Sequence, residues 1–151
     1  VKQFAGQLKP ALQQAMQQGG PAHAVSVCAE KAPAIAASLS HTSGWQIKRV
    51  SLKPRNPDAS PDDFERQQLQ AFEQRRQQGE SPAELRHSAL TDDGFRYLQA
   101  QGVEPLCLAC HGEQIDDKTR QVLQTRYPSD SATGYRLGDI RGAFSLIKTD
   151  L

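Results

Sequence analysis

The residues best equipped for chemistry are Cys107-Leu108-Ala109-Cys110-His111. Two thiols lie one helical turn apart, and a histidine directly follows the second. Thiols at that spacing can add to the two vinyl groups of a haem, and the adjacent imidazole can then ligate the iron from one porphyrin face. The spacing predicts one covalently attached haem c, with Cys107 and Cys110 as thioether residues and His111 as an iron ligand. Two other chemistries use the same residue types. A zinc site would draw on Cys107, Cys110, Cys28 and one histidine, but no second closely spaced ligand pair exists. A redox dithiol would normally follow a strand in a βαβ unit, and that context is missing.

An iron ligand opposite His111 is less easily read. The one methionine, Met16, falls on an amphipathic helix, where packing is its ordinary role. His23 is near a helix start, His41 in a serine-rich turn and His87 beside a strand end, all places for solvated or structural histidines. Cys28 is left over once the pair at 107 and 110 is spent. It falls on the apolar face of a helix and so points inward, reading first as a small buried hydrophobe and second as a ligand. Arg49, Lys53 and Arg55 suit the two propionates of a haem, because guanidinium groups bind carboxylates bidentately. The other reading of this run is an exposed charged edge that prevents strand pairing. Tyr135, Arg136 and Arg141 are weaker candidates in a glycine-rich tail that could simply hold the final strand. Asp139 could pair with Arg136 or Arg141.

These residues need a scaffold, and 151 residues suffice for one domain spanning 1–151. Val1, Phe4, Ala5, Leu8, Leu12, Ala15 and Met16 recur at helical spacing until Gly19-Gly20-Pro21 stops the pattern, which predicts a helix over 1–20. A second helix is expected from Ala22 to about Leu39, with Pro33 as a kink or break. Trp45 to Leu52 is rich in strand formers. Ser60-Pro61-Asp62-Asp63 reads as an N-cap, an N1 proline and first-turn acids, opening a polar helix that runs to about Gln78. Leu85 to Leu90 and Phe95 to Gly102, joined by Thr91-Asp92-Asp93-Gly94, predict a hairpin. A helix over Asp117 to Arg126 and a strand over Gly142 to Thr149 complete the chain. The sum is an α+β domain with an antiparallel sheet, unlike the all-helical small cytochromes c.

Composition bounds the role. Eighteen basic against seventeen acidic residues give a net charge of +1, which makes no case for nucleic acid or an anionic membrane. No run of about 18 apolar residues predicts a membrane span. The chain opens without the pattern of a signal peptide, so it reads as mature or trimmed. Because thioether attachment of haem takes place outside the bacterial cytoplasmic membrane, the expected location is the periplasm. The apolar stripe on the first helix suggests a homodimer contact.

Three segments carry a family resemblance. They are Ala24 to Ala36 around Cys28, the run Arg49-Val50-Ser51-Leu52-Lys53-Pro54-Arg55-Asn56-Pro57, and the tail Tyr127-Pro128 with Gly134 to Ser145. Together with Cys107 to Gly112 they resemble the single-haem c-type family long catalogued as a domain of unknown function. Its haem domain has a PAS-like fold and is often attached to bacterial signalling proteins. The resemblance implies a PAS-like antiparallel sheet flanked by helices, His111 as proximal ligand and Cys28 as distal ligand. A His/Cys pair would favour ferric iron and a low reduction potential. The expected role is electron transfer with a redox partner protein. The alternative is a redox or gas sensor that works by release of the cysteine. No distal base and cation for a haem enzyme are legible, so no enzymatic activity is expected.

Overall fold

The structure is a computed structural model and describes residues 1–150. Helix α1 spans Lys2–Ser43, and Gly20 is its one interior residue outside helical geometry, at φ 69° and ψ −167°. That conformation is natural for glycine alone. Residues 2–19 and 21–43 therefore form two helical arms that fold back on each other, since Phe4 and Leu8 of the first pack with Ala32 and Ile35 of the second. Pro21 follows the break, where its missing N–H costs nothing. Of the kink or break expected at Pro33, the break does not occur; Pro33 keeps helical geometry between the buried Ala32 and Ile35. The fold-back also covers the stripe that suggested a dimer. Phe4, Leu8 and Ala15 are buried within the chain itself.

The sheet consists of β1 (Gln46–Val50), β2 (Arg86–Thr91), β3 (Gly94–Gly102) and β4 (Ile140–Lys148). Its order is β1-β4-β3-β2, antiparallel throughout. β1 stops at Val50, short of Leu52, because the Ser51 N–H turns away to the Ala59 carbonyl at 2.9 Å. The period-2 alternation of each strand sends its apolar residues to two different layers. On one face Val50, Leu98, Ala100 and Ala143 meet Leu69 and Phe72 of α2 (Asp63–Gln77). Burying Phe72, 1% exposed, stabilises the fold by about 1.5–3 kcal/mol. On the other face Phe144 and Leu146 meet α1. The result is a three-layer α+β arrangement of the anticipated class.

α2 begins at Asp63 because Asp62, not Ser60, is its N-cap. The Asp62 carboxylate accepts the Glu65 N–H at 2.8 Å, and Glu65 accepts the Asp62 N–H at 2.9 Å. Glu65 is fully buried. It also accepts the Ser145 hydroxyl at 2.6 Å and pairs with Lys48 at 3.0 Å and Arg96 at 3.2 Å. Arg96, 4% exposed, pairs again with Asp62 at 2.6 Å and lies over the Phe64 ring at 4.4 Å. Two carboxylates match its charge, while its Nε is buried without a hydrogen-bond partner.

Between β3 and β4 runs an excursion over residues 103–139. It contains α3 (Leu108–His111) and α4 (Asp117–Arg126), and α4 packs against α1. Among the described residues no helix is long and apolar enough to cross a membrane.

Candidate functional site

The motif is held by backbone more than by side chains. A 3-10 turn at Pro105–Cys107 leads into the single turn of α3, which sets Cys107 and Cys110 one turn apart. Gly112 ends that turn, and a Cβ there would stand 2.5 Å from the Leu108 carbonyl oxygen, so only glycine fits. The Gly134 N–H donates to the Gly112 carbonyl and the Tyr135 N–H to the His111 carbonyl, each at 2.9 Å. Beneath them Val103, Ala132 and Tyr135 form a small apolar cluster against Cys107 and Leu108.

His111 Nδ1 lies 2.8 Å from the Ala132 carbonyl oxygen and 3.2 Å from Arg141 Nε. One nitrogen cannot donate to the carbonyl and accept from the guanidinium at once. With its proton on Nδ1, the ring donates to Ala132 and leaves the Nε2 lone pair free, which is the form a metal-ligating histidine takes. Burial, followed by the charges of Arg141 and Arg55, holds the ring's pKa well below the usual histidine range. The imidazole is therefore neutral. Burial likewise pushes the Cys110 thiol up to about 11, against the pull of Arg55. Its sulfur lies 3.9 Å from the Pro21 carbonyl oxygen, beside the bend in α1.

All three cysteines are unpaired and half-buried. Cys28 borders the α1 core and lies in the neighbourhood of Cys110 and Tyr127. The fold thus brings Cys28 into the neighbourhood of the Cys107-Cys110-His111 motif. Among the described residues no three His, Cys, Asp or Glu side chains are arranged to hold a metal ion by themselves, so the zinc quartet is not assembled. His23 and His41 are exposed, and His87 packs on Phe64 at 5.9 Å on the α2 face.

The basic candidates separate by partner. Arg55 is engaged: Nε pairs with Asp130 at 3.1 Å, and Nη2 donates to the Cys110 and Ala132 carbonyls. It locks the motif to the loop that carries the His111 acceptor. Arg49 lies over the Phe4 ring at 5.5 Å, and Lys53 over the Tyr135 ring at 4.6 Å. Tyr135 is buried edge-on to His111, their centroids 6.3 Å apart. Arg136 turns outward to Glu113 at 2.8 Å. Asp139 pairs with Arg76 at 3.7 Å rather than with Arg136 or Arg141 side chains. Among the described residues Arg49, Lys53 and Arg141 have no carboxylate partner. Two cavities flank the motif, one of about 270 Å³ bordered by Lys53, Tyr135 and Arg141, the other of about 640 Å³ bordered by Gly112 and Tyr127. Asp130, Ser51 and the Ala132 carbonyl escaped the sequence reading, since each acts on residues distant in the chain.

The fold and site define an α+β protein with a CxxCH motif carried on an excursion between its two central strands. The chain belongs to the Tll0287-like family, whose model matches residues 2–148. It is similar to the crystal structure of the cyanobacterial heme-protein Tll0287, with a TM-score of 0.69 and 28% identity over 97% of this chain and 94% of that one. Among curated proteins no sequence matches it. The family resemblance read from the sequence thus holds.

Proposed function

We propose that the chain binds one haem c through Cys107 and Cys110, with His111 and Cys28 as axial ligands, and that it transfers electrons outside the bacterial cytoplasmic membrane. The observation that carries this reading is His111. A half-buried neutral imidazole, its Nδ1 directed to a backbone carbonyl and its Nε2 free, stands beside two unpaired thiols one turn apart. Arg49 and Lys53, unmatched by any acid among the described residues, also fit a haem, because its two propionates would supply carboxylates that the chain does not. When bound, the haem supplies a one-electron iron couple. The chain's own residues anchor it, keep the proximal ring in one tautomer and, through a Cys28 thiolate, favour the ferric state.

A second reading is favoured by Gly20. The arm carrying Cys28 joins its neighbour through one glycine with nothing within 4 Å of a Cβ position. Release of the Cys28 sulfur on reduction could then be passed on as movement of that arm, as in a redox or gas sensor.

The test is the mass and haem stain of the denatured chain, with the spectra of both redox states. Covalent haem in the wild type and its loss in the Cys107→Ala/Cys110→Ala double variant support attachment; haem that dissociates on denaturation sinks it. A ferric spectrum unchanged in Cys28→Ala removes the cysteine from the ligand set. Reduced protein inert to carbon monoxide favours electron transfer, and ready binding favours the sensor.

A further inference from the structure

We propose that Arg141 is a positioning residue that holds a fixed positive charge behind His111 and thereby raises the reduction potential of the iron, offsetting the Cys28 thiolate. The inference rests on the haem reading above.

Three observations carry it. The first is how Arg141 gets there. β3 and β4 pair Gln101 with Gly142 and Gly102 with Ile140, so Arg141 is the extra residue of a bulge. A bulge re-aims a side chain out of the strict alternation of a strand. The second is how it is held. Nη1 donates to the Ser51 hydroxyl at 2.9 Å and the guanidinium lies 5.6 Å from the Tyr135 ring centroid, and these contacts leave Nε 3.2 Å from His111 Nδ1. Ser51 is itself buried and fixed by donating to the Arg141 carbonyl at 2.8 Å. The third is what it lacks. Asp139, the acid nearest in sequence, is drawn away to Arg76, and no carboxylate neutralises Arg141 among the described residues.

In the tautomer that leaves Nε2 free, Nδ1 donates to Ala132 and cannot accept from Arg141. The contact at 3.2 Å is then one of charge alone. Gain of one electron by ferric iron lowers the charge of the iron site by one unit, and a nearby fixed cation favours that state. No proton need move, because the guanidinium stays protonated throughout.

The test is a mediated spectroelectrochemical titration of the haem-loaded protein, with haem content checked for every variant. Arg141→Gln is expected to lower the potential by an amount equal to about a tenfold change in the one-electron equilibrium, about 59 mV. Arg141→Lys, which keeps the charge, should recover part of it. Arg136→Gln, an exposed cation in the loop that leads into β4, should leave it unchanged. A potential in Arg141→Gln equal to that of the wild type, with haem present, overturns this inference and leaves the haem reading standing. A wild type without haem overturns both. Should Arg141→Gln not fold, Ser51→Ala loosens the same guanidinium; a smaller fall supports the role, and no change overturns it.

Discussion

Arg96, buried, and Arg141, half-buried, are guanidinium groups on neighbouring strands of one sheet, and their surroundings are built on opposite plans. Arg96 faces α2 and meets two carboxylates, at 2.6 and 3.2 Å, inside a network that also includes Lys48 and Ser145. Arg141 faces the motif and meets a hydroxyl, an aromatic ring and an imidazole, but no acid. A buried charge that brings its own counter-charge holds a scaffold together. One that does not is poised for something the chain itself does not contain.

The comparison can be broken first at Glu65. Glu65→Ala leaves Arg96 buried with only the half-exposed Asp62, so unfolding in denaturant should show a loss of about 3–5 kcal/mol. The haem spectrum of the folded fraction should be unchanged, and a stability within 1 kcal/mol of wild type would mean the network is not the pin described.

Acid sharpens the same side. Burial pushes the Asp62 carboxyl up, but the Glu65 N–H and the Arg96 guanidinium outweigh it, and its pKa lies below the ordinary 3.8. The folded chain therefore binds fewer protons than the unfolded one. The stabilisation is present above about pH 4 and is lost as pH falls through the lowered value. Asp62→Asn keeps the cap and removes the charge, so it should cost about 1 kcal/mol at neutral pH, discounted for the exposure of Asp62. The gap from wild type should close on acidification in pH-dependent unfolding curves; a gap independent of pH argues against the charge.

The smallest effect belongs to the motif side. Arg49→Gln removes a cation that has no acid to orphan and loses only its contact with Phe4. Its stability should stay within about 1 kcal/mol of wild type in the same denaturant assay. A loss as large as that of Glu65→Ala would erase the distinction between the two clusters.

How much of this was legible followed from distance along the chain. The motif, the hairpin of β2 and β3 and the bounds of α4 rest on local spacing, capping and turn residues, and the sequence reading matches them. Cys28 was read as inward-facing from helical periodicity, and it borders the α1 core. Glu65 looked like one acid among many on a polar helix. Its burial depends on Arg96 and Ser145, 31 and 80 residues away. The bulge at Arg141 depends on the register with Gln101 and Gly102, which no local pattern encodes. The apolar stripe of the first helix suggests a homodimer contact from sequence alone; the fold-back at Gly20, which joins segments distant in the chain, buries Phe4, Leu8 and Ala15 within the chain itself.

The strand order has a consequence in time. β4 alone joins β1 to the β2–β3 hairpin, and it follows the motif in the chain. Until residues 140–148 arrive, no four-stranded sheet can form, and an isolated hairpin is marginal at best. Cys107 and Cys110 are by then already available on an open segment, and closing its ends later costs only slowly growing entropy with length. Any group joined to those thiols before β4 docks is joined to a flexible chain, and the final strand then closes the protein around it.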